Sequence, residues 1–345
     1  MDAKNQNVAI VDDSERIRKN KKYYKGILKA LIKTKEIKLE KVLACPCGGR
    51  EFVKITNKDR FGLPFSSVIC ERCGLIITNP RIAEESLPRY YREIYYPLVL
   101  GTLENTIMEN IVCENQGEKI FLYCKDIING IGTDKIKILE IGCASGFNLT
   151  TFERLARERN IICELWGTEY EESNADVARK KGIRIIDGEF DSVKGVNYDL
   201  IIMSHVLEHI IDINACLQKI KNVLSDNGLL YVEVPGLMNM ELMEKDYNGN
   251  YRTFSVHAHM YNFNLTSLGY IARINGYELI KGNEDVRTIF KISKECDRNI
   301  PLPALNCRNI LLHIKKNLSS RKIIRRGIGY LSRIYKKEKT EWAKK

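Results

Sequence analysis

Four of the five histidines fall in two close pairs: His205 with His209 in "SHVLEHI", and His257 with His259 in "VHAHMYNFN". Imidazole titrates near neutrality, so a histidine can take a proton at physiological pH with little tuning. The spacing of His205, Glu208 and His209 puts all three within one helical turn, although a helix N-terminus with a solvated Glu would read the same way. The alternation of His257, His259 and Tyr261 suits one face of an extended segment. His257, His259, His209 and Tyr261 are the catalytic candidates, with two purely structural histidines at 257 and 259 as the plain alternative.

Cys45 and Cys47 in "ACPCGG" are separated by 22 residues from Cys70 and Cys73 in "VICERCGL". Two turns that each bring two thiolates forward can close a tetrahedral Zn2+ site. Such a site leaves no position for water, so the metal would be structural. The odd total of 11 cysteines argues against a disulfide framework, and residues such as Cys163 and Cys216 read as small buried hydrophobes.

A third motif lies at 138–148, "ILEIGCASGFN", where Gly142 and Gly146 stand at a sharp turn from strand to helix. A Cβ there would hold a ligand off the backbone, and the following helix points its amides into the same space. Dinucleotides, other nucleotides and S-adenosylmethionine all use such loops. Glu169 closes the next strand in "WGTEY", beside the loop, where a carboxylate can accept both hydroxyls of a ribose.

The elements that would hold these residues follow from the periodicity. From Lys135 onward, short apolar runs ("KIKILEIG", "ICELWGTEY", "IRIIDG", "YDLIIMSH", "LLYVEVPG") alternate with amphipathic stretches ("FNLTTFERLARERN", "EESNADVARKKG", "DINACLQKIKNVLSDNG"). Such alternation implies right-handed crossovers and an α/β fold, a Rossmann-like, doubly wound and mostly parallel sheet with helices on both faces. The helix "NLTSLGYIARINGY" and the strands "ELIKG" and "RTIFKIS" complete it. The reading divides the chain into a basic helical arm (1–43), a zinc-binding module (44–83), a tyrosine-rich helical cap (84–129), the sheet domain (130–293) and a basic amphipathic tail (294–345).

The net charge of +11 is confined to the ends: 15 Lys+Arg against 4 Asp+Glu in 294–345, and 12 against 6 in 1–43, which leaves the middle at −6. A mildly acidic body does not suit a core that tracks a nucleic-acid backbone. No run reaches the roughly 20 apolar residues of a membrane span, and the N-terminus lacks the apolar segment of a signal peptide, so a cytoplasmic location is expected. Ile324, Ile328, Leu331 and Tyr335 recur at helical spacing among basic residues, a pattern that suits peripheral contact with an anionic inner membrane surface. A tail docked on its own domain is the other possibility.

Taken together, "ILEIGCASGFN", "WGTEY", "YDLIIMSHVLEHI" and "LLYVEVPG" resemble the class I S-adenosylmethionine-dependent methyltransferases over about residues 120–292. The family's acidic-x-G-x-G-x-G pattern falls on Glu140, Gly142, Ala144 and Gly146, with Ala144 in place of the middle glycine. The resemblance implies S-adenosylmethionine as cofactor, with Gly142, Ala144 and Gly146 against its methionine part and Glu169 on the ribose. Glu189 and Phe190 would meet the adenine, and Ser204 and His205 would lie under the sulfonium.

The N-terminal pattern, ending "CERCGLIITNPR", resembles the zinc-binding methyltransferases encoded with sugar and surface-polysaccharide enzymes. That implies a saccharide, sugar-nucleotide or lipid-linked glycan acceptor, with Tyr90, Tyr91, Tyr95 and Tyr96 stacking on it. Sugar C-methyltransferases of this kind carry Glu between the two histidines. Ala258 stands there, which favours oxygen as the acceptor atom. The competing readings are an RNA methyltransferase gripping through the basic ends, a non-catalytic zinc-containing scaffold and, more distantly, an NAD oxidoreductase.

Overall fold

The computed structural model describes residues 3–99, 108–128, 135–186, 193, 195, 197–293, 301–303 and 305–317. Glu189, Phe190 and the amphipathic stretch 318–345 lie outside the described residues. The basic N-terminal segment is one helix, α1 (Ala3–Lys33), which passes through Gly26 without a break. Its second half is not the solvated arm that its charge suggests. Leu28 is fully buried, and Tyr24, Ile27, Leu31 and Ile32 pack beside it in a cluster with Phe65, Tyr90, Ile94 and Leu98. Apolar residues three and four apart form one stripe, and the lysines occupy the rest of the surface.

Next come β1 (Leu39–Glu40), the antiparallel meander β2 (Phe52–Thr56), β3 (Ser67–Cys70) and β4 (Ile76–Thr78), and β5 (Arg81–Ile82), which pairs back with β1. The tyrosine-rich link forms α2 (Leu87–Tyr90), a π turn at Tyr91–Tyr95, α3 (Tyr96–Val99) and α4 (Met108–Ile128).

The alternating half follows as β6 (Lys135–Ile141), α5 (Phe147–Arg157), β7 (Ile162–Thr168), α6 (Glu172–Lys180), β8 (Arg184–Ile186), β9 (Tyr198–Ser204), α7 (Ile213–Lys221) and β10 (Leu224–Glu233). α8 (Met240–Tyr247), α9 (Tyr251–Phe254), β11 (Tyr261–Asn262), α10 (Leu265–Ile274), β12 (Tyr277–Gly282), β13 (Arg287–Ile292) and α11 (Asn306–Asn317) complete the described chain. Seven strands form one sheet in the order β12-β13-β10-β9-β6-β7-β8. β6 to β10 run parallel, and the β12–β13 hairpin is antiparallel. Ile136, Ile138, Leu139 and Ile141 of β6 are all buried, as a strand covered on both faces requires.

The helix "DINACLQKIKNVLSDNG" is shorter than its text: α7 stops at Lys221 and Leu224 already pairs with Tyr198. Burial of Val223 and Leu224 at the start of β10 outweighs continued helix. The tail region also contributes to packing. Cys307, Ile310, Leu311 and Ile314 of α11 are buried with Ile69, Ile76, Tyr251 and Phe254.

β6 and β9 are neighbours, but the chain reaches β9 only after leaving toward β7 and β8. Loops at the carboxyl ends of these two strands therefore part and leave a crevice between them.

Candidate active site

The crevice is lined by the loop after β6 and the end of β9. Gly142 (φ 68°) and Gly146 (φ 77°) take the left-handed conformation, and Gly146 caps the start of α5. A Cβ at Gly142 would stand 3.0 Å from Val206 Cγ2, and one at Gly146 only 2.1 Å from Ile183 Cδ1. Ala144 sits at φ 47°, unusual for a residue with a Cβ. Its N–H donates to Glu169 Oε2 at 2.9 Å, and Oε1 of the same carboxylate accepts from the Glu171 N–H at 2.8 Å. Glu169 is thus fixed against the loop, and each oxygen keeps a further lone pair for a ligand. Its pKa is raised by burial, opposed by these backbone donors.

A cavity of about 240 Å³ opens here, lined by Gly142, Ala144, Asn148, Ser204, His205 and, from α4, Gln116. Glu140 lies beneath it at 1% exposure, and its Oε1 accepts from Asn148 Nδ2 at 2.7 Å. Glu140 Oε2 and Asn148 Oδ1 are buried without a partner. Burial pushes the Glu140 pKa up to about 8, against the pull of Asn148. Orphaned acceptors below a glycine turn suit a cationic group of the ligand.

Asn148 is not among the candidates the sequence offers, and neither are two further residues here, Gln116 and Glu233. Gln116 Nε2 reaches Ser204 Oγ at 3.4 Å and also contacts Glu233, and Glu233 accepts from Tyr231 Oη and Arg287 Nε, each at 2.8 Å. Glu233 ends a core strand in "YVEVPG", as Glu140 and Ser204 nearly end theirs, so position alone was a usable signal. Nothing local marks Gln116, which reaches the site because α4 packs on α5.

The histidines separate. Residues 257–260 form a turn rather than an extended run, and only Tyr261 begins a strand. His257 is fully buried: Nδ1 lies 2.6 Å from Asp59 Oδ2, Nε2 lies 2.8 Å from Tyr90 Oη, and the ring stacks on Phe65. The carboxylate can only accept, so Nδ1–H donates and Nε2 is left for the Tyr90 hydroxyl. With both nitrogens engaged and the ring sealed, His257 is not placed to act as the expected base. Tyr90 is likewise sealed and cannot stack on an acceptor. Tyr261 Oη donates to the Ile211 carbonyl at 2.7 Å and accepts from Arg81 at 3.2 Å, which makes it a fastener between segments.

His209 and His259 do meet, edge to face, with ring centroids 5.0 Å apart. His209 Nδ1 lies 3.0 Å from the Ala258 carbonyl and from Tyr91 Oη. Burial lowers the pKa of His209 and takes that of His259 well below the usual value, so both rings are neutral at pH 7. Glu208 completes the group in a 3-10 turn at Leu207–His209. His205 is half-exposed on the crevice wall with Nδ1 3.6 Å from Glu208 Oε1; burial opposes its charged form, but Glu208 outweighs this and raises its pKa.

Strand order, glycine turn and flanking carboxylates coincide with a match to a family model. Residues 117–281 match the model described as a methyltransferase domain. This region is a class I S-adenosylmethionine-dependent methyltransferase domain. A curated relative, the ubiquinone biosynthesis O-methyltransferase of Bartonella tribocorum, is 27% identical over 124 residues, 33% of this chain. The match spans 48% of that protein, about half its length. Similar solved structures include the magnesium protoporphyrin IX methyltransferase of Synechocystis with bound SAH (13% identity, TM-score 0.38, 60% of this chain and 93% of that one). Another is an S-adenosylmethionine-dependent methyltransferase of Clostridium acetobutylicum (10% identity, TM-score 0.39, 60% and 99%).

The cysteine hairpin is built into the methyltransferase domain. Sγ atoms of Cys45, Cys47, Cys70 and Cys73 all lie within 4.8 Å of one another, and the pairs 45–73 and 47–70 are 3.6 Å apart. Tetrahedral thiolates about 2.3 Å from a zinc ion would stand about 3.8 Å apart, so the donor set and its spacing fit that metal. Gly49 and Leu75 each donate a backbone N–H to a cysteine sulfur at 3.4 Å. β11 of the methyltransferase domain pairs with β4 and completes the hairpin sheet, Tyr261 opposite Ile77. Thr78 Oγ1 donates to the His259 carbonyl at 2.7 Å, so the hairpin sets the path of the histidine turn.

Proposed function

We propose that the chain transfers a methyl group from S-adenosylmethionine to a hydroxyl of a saccharide, sugar nucleotide or lipid-linked glycan. The observation that carries the cofactor is the crevice: a left-handed glycine turn over the buried Glu140–Asn148 pair, with Glu169 locked beside it. In this reading Gly142, Ala144, Gly146, Asn148, Ser204 and His205 hold the methionine end, and Glu169 takes the ribose hydroxyls. Bound S-adenosylmethionine supplies a methyl carbon already activated by its cationic sulfonium. The chain then has to align the acceptor oxygen and remove its proton. That work falls to the Glu208–His209–His259 group beside His205.

Supporting a saccharide, Tyr91 and Tyr95 pack against His209 and offer aromatic faces edged with hydroxyls. Arg60 stands over Phe61 and Tyr247, its buried Nε has no partner, and its charge reaches His259, which suits an anionic acceptor such as a sugar nucleotide. The four cysteines hold one structural zinc ion. No helix among the described residues is long and apolar enough to cross a membrane, and contact with a membrane surface would come from the basic end of the chain.

Isothermal titration of the full chain with S-adenosylmethionine and, separately, NADH tests the cofactor. Expected is saturable binding of S-adenosylmethionine alone, weakened about tenfold or more in Glu169→Ala by loss of a charge-assisted pair of hydrogen bonds. Absence of binding by a folded sample would overturn the reading. Methyl transfer to sugar nucleotides and lipid-linked glycans, and not to RNA, is the expected outcome of the acceptor screen that follows.

A further inference from the structure

We propose that Glu208, His209 and His259 form a second metal site, for a divalent first-row transition ion, at the mouth of the cofactor crevice. One ligand atom from each lies within 4.8 Å of the others, close enough to share one ion. Glu208 is 1% exposed and its Oε2 has no hydrogen-bond partner, an arrangement that needs a cation or a donor to complete it. His209 Nδ1 lies 3.0 Å from the Ala258 carbonyl, which leaves the lone pair on Nε2; metal-bound imidazoles characteristically make this outer hydrogen bond.

Hydrogen bonds to their carbonyls hold Glu208 and His259 in place. Met260 N–H donates to the Glu208 carbonyl at 2.7 Å and Thr78 Oγ1 to that of His259 at 2.7 Å. The donor set differs in kind from the cysteine cluster. Two imidazoles and one carboxylate suit Mn2+, Fe2+ or Zn2+, and three protein ligands leave positions open where four thiolates leave none.

This inference rests on the methyl-transfer reading and deepens it. His205 lines the cofactor cavity and stands 3.6 Å from Glu208, so the open positions of the ion adjoin the methyl donor. A bound ion would lower the pKa of an acceptor hydroxyl held there, and His205 would be placed to take its proton. The oxygen lone pair then forms the new O–C bond as the S–C bond breaks with its electrons going to sulfur. One proton is released, and the sulfonium becomes a neutral thioether. Two adjacent hydroxyls of a sugar ring would fill two open positions, which makes a vicinal diol the favoured acceptor.

The full chain, with zinc on its cysteines, is titrated with Mn2+ and followed by electron paramagnetic resonance of the free ion, alongside His259→Gln and Glu208→Gln. Expected is one bound equivalent in the parent chain and at least tenfold weaker binding in either variant, with S-adenosylmethionine affinity changed less than twofold. Should the variants not fold, Co2+ titration of the parent decides. A second equivalent with d–d bands but no thiolate charge-transfer band supports the site. A parent chain that binds no ion beyond the cysteine equivalent overturns it, and leaves methyl transfer standing if S-adenosylmethionine still binds. Binding of the second ion without S-adenosylmethionine would remove the methyl-transfer reading and keep the ion site.

Discussion

Nδ1 of His257 lies 2.6 Å from Oδ2 of Asp59, and neither side chain reaches solvent. Asp59 belongs to the loop of the cysteine hairpin, where its Oδ1 also accepts from the N–H groups of Phe61 and Leu63 at 3.0 and 2.8 Å. His257 belongs to the methyltransferase domain, and Tyr90 of the cap closes the chain of contacts. One imidazole thereby ties three parts of the molecule together. Removing either partner leaves the other buried and unpaired, so His257→Ala or Asp59→Ala should lose about 3–5 kcal/mol in denaturant unfolding. A loss below about 1 kcal/mol would argue that the site admits water.

Glu140 gives the pH dependence its sign. In the unfolded chain its carboxyl titrates near 4.5, and in the fold near 8. Between these values the folded chain holds a proton that the unfolded chain has released. The Glu140 contribution to stability therefore falls as pH rises from about 4.5 to about 8, by at most about 1.4 kcal/mol per unit, and is level outside that window. Glu140→Gln should lack this slope when the two chains are compared by chemical unfolding across pH 4–9. Because a cationic ligand favours the ionised carboxyl, S-adenosylmethionine should bind more tightly as pH rises through about 8, and the variant should show no such rise.

Gly146→Ala separates backbone strain from crowding. The left-handed conformation at φ 77° costs a residue with a Cβ about 1–2 kcal/mol. The new methyl also meets Ile183 Cδ1, a side-chain tip able to swing aside. Gly182→Ala, at φ 84° with open space around it, is the control for strain alone. Both should lower stability by about 1–2 kcal/mol, but only Gly146→Ala should also weaken cofactor binding in calorimetry.

If the cysteines hold zinc, elemental analysis after removal of loosely bound ions should find one equivalent, and Cys73→Ser should lose it. Structural zinc sites contribute folding free energy directly, on the order of 10 kcal/mol at neutral pH. β11 pairs with β4, so the effect should travel: amides of residues 257–262 should exchange faster in the variant. Unchanged exchange there would show that the hairpin is not what holds the histidine turn.

The sequence alone determined the alternating half of the chain. Strand and helix periods differ, and the texts of β6, α5, β7, α6 and β9 each satisfy one period cleanly. Glycines at a strand-to-helix turn and a carboxylate ending the next strand were legible for the same reason, since backbone conformation and strand ends are local properties. The cysteine spacing was legible too, because a hairpin brings its two turns together without help from the rest of the fold.

Tertiary structure alone decided the roles of the histidines. His257 and His259 are two residues apart in sequence and differ in surroundings because a turn sends one ring to Asp59 and Tyr90, and the other to His209 and Glu208. Those partners come from 50 to 198 positions away in the chain, and no local pattern encodes such contacts. Gln116 reached the cavity by helix packing, and the second half of α1 became core because Phe65 and Tyr90 cover it. Residue type and spacing fixed what each group is chemically able to do. Which groups meet, and which are sealed from solvent, was decided by long-range packing.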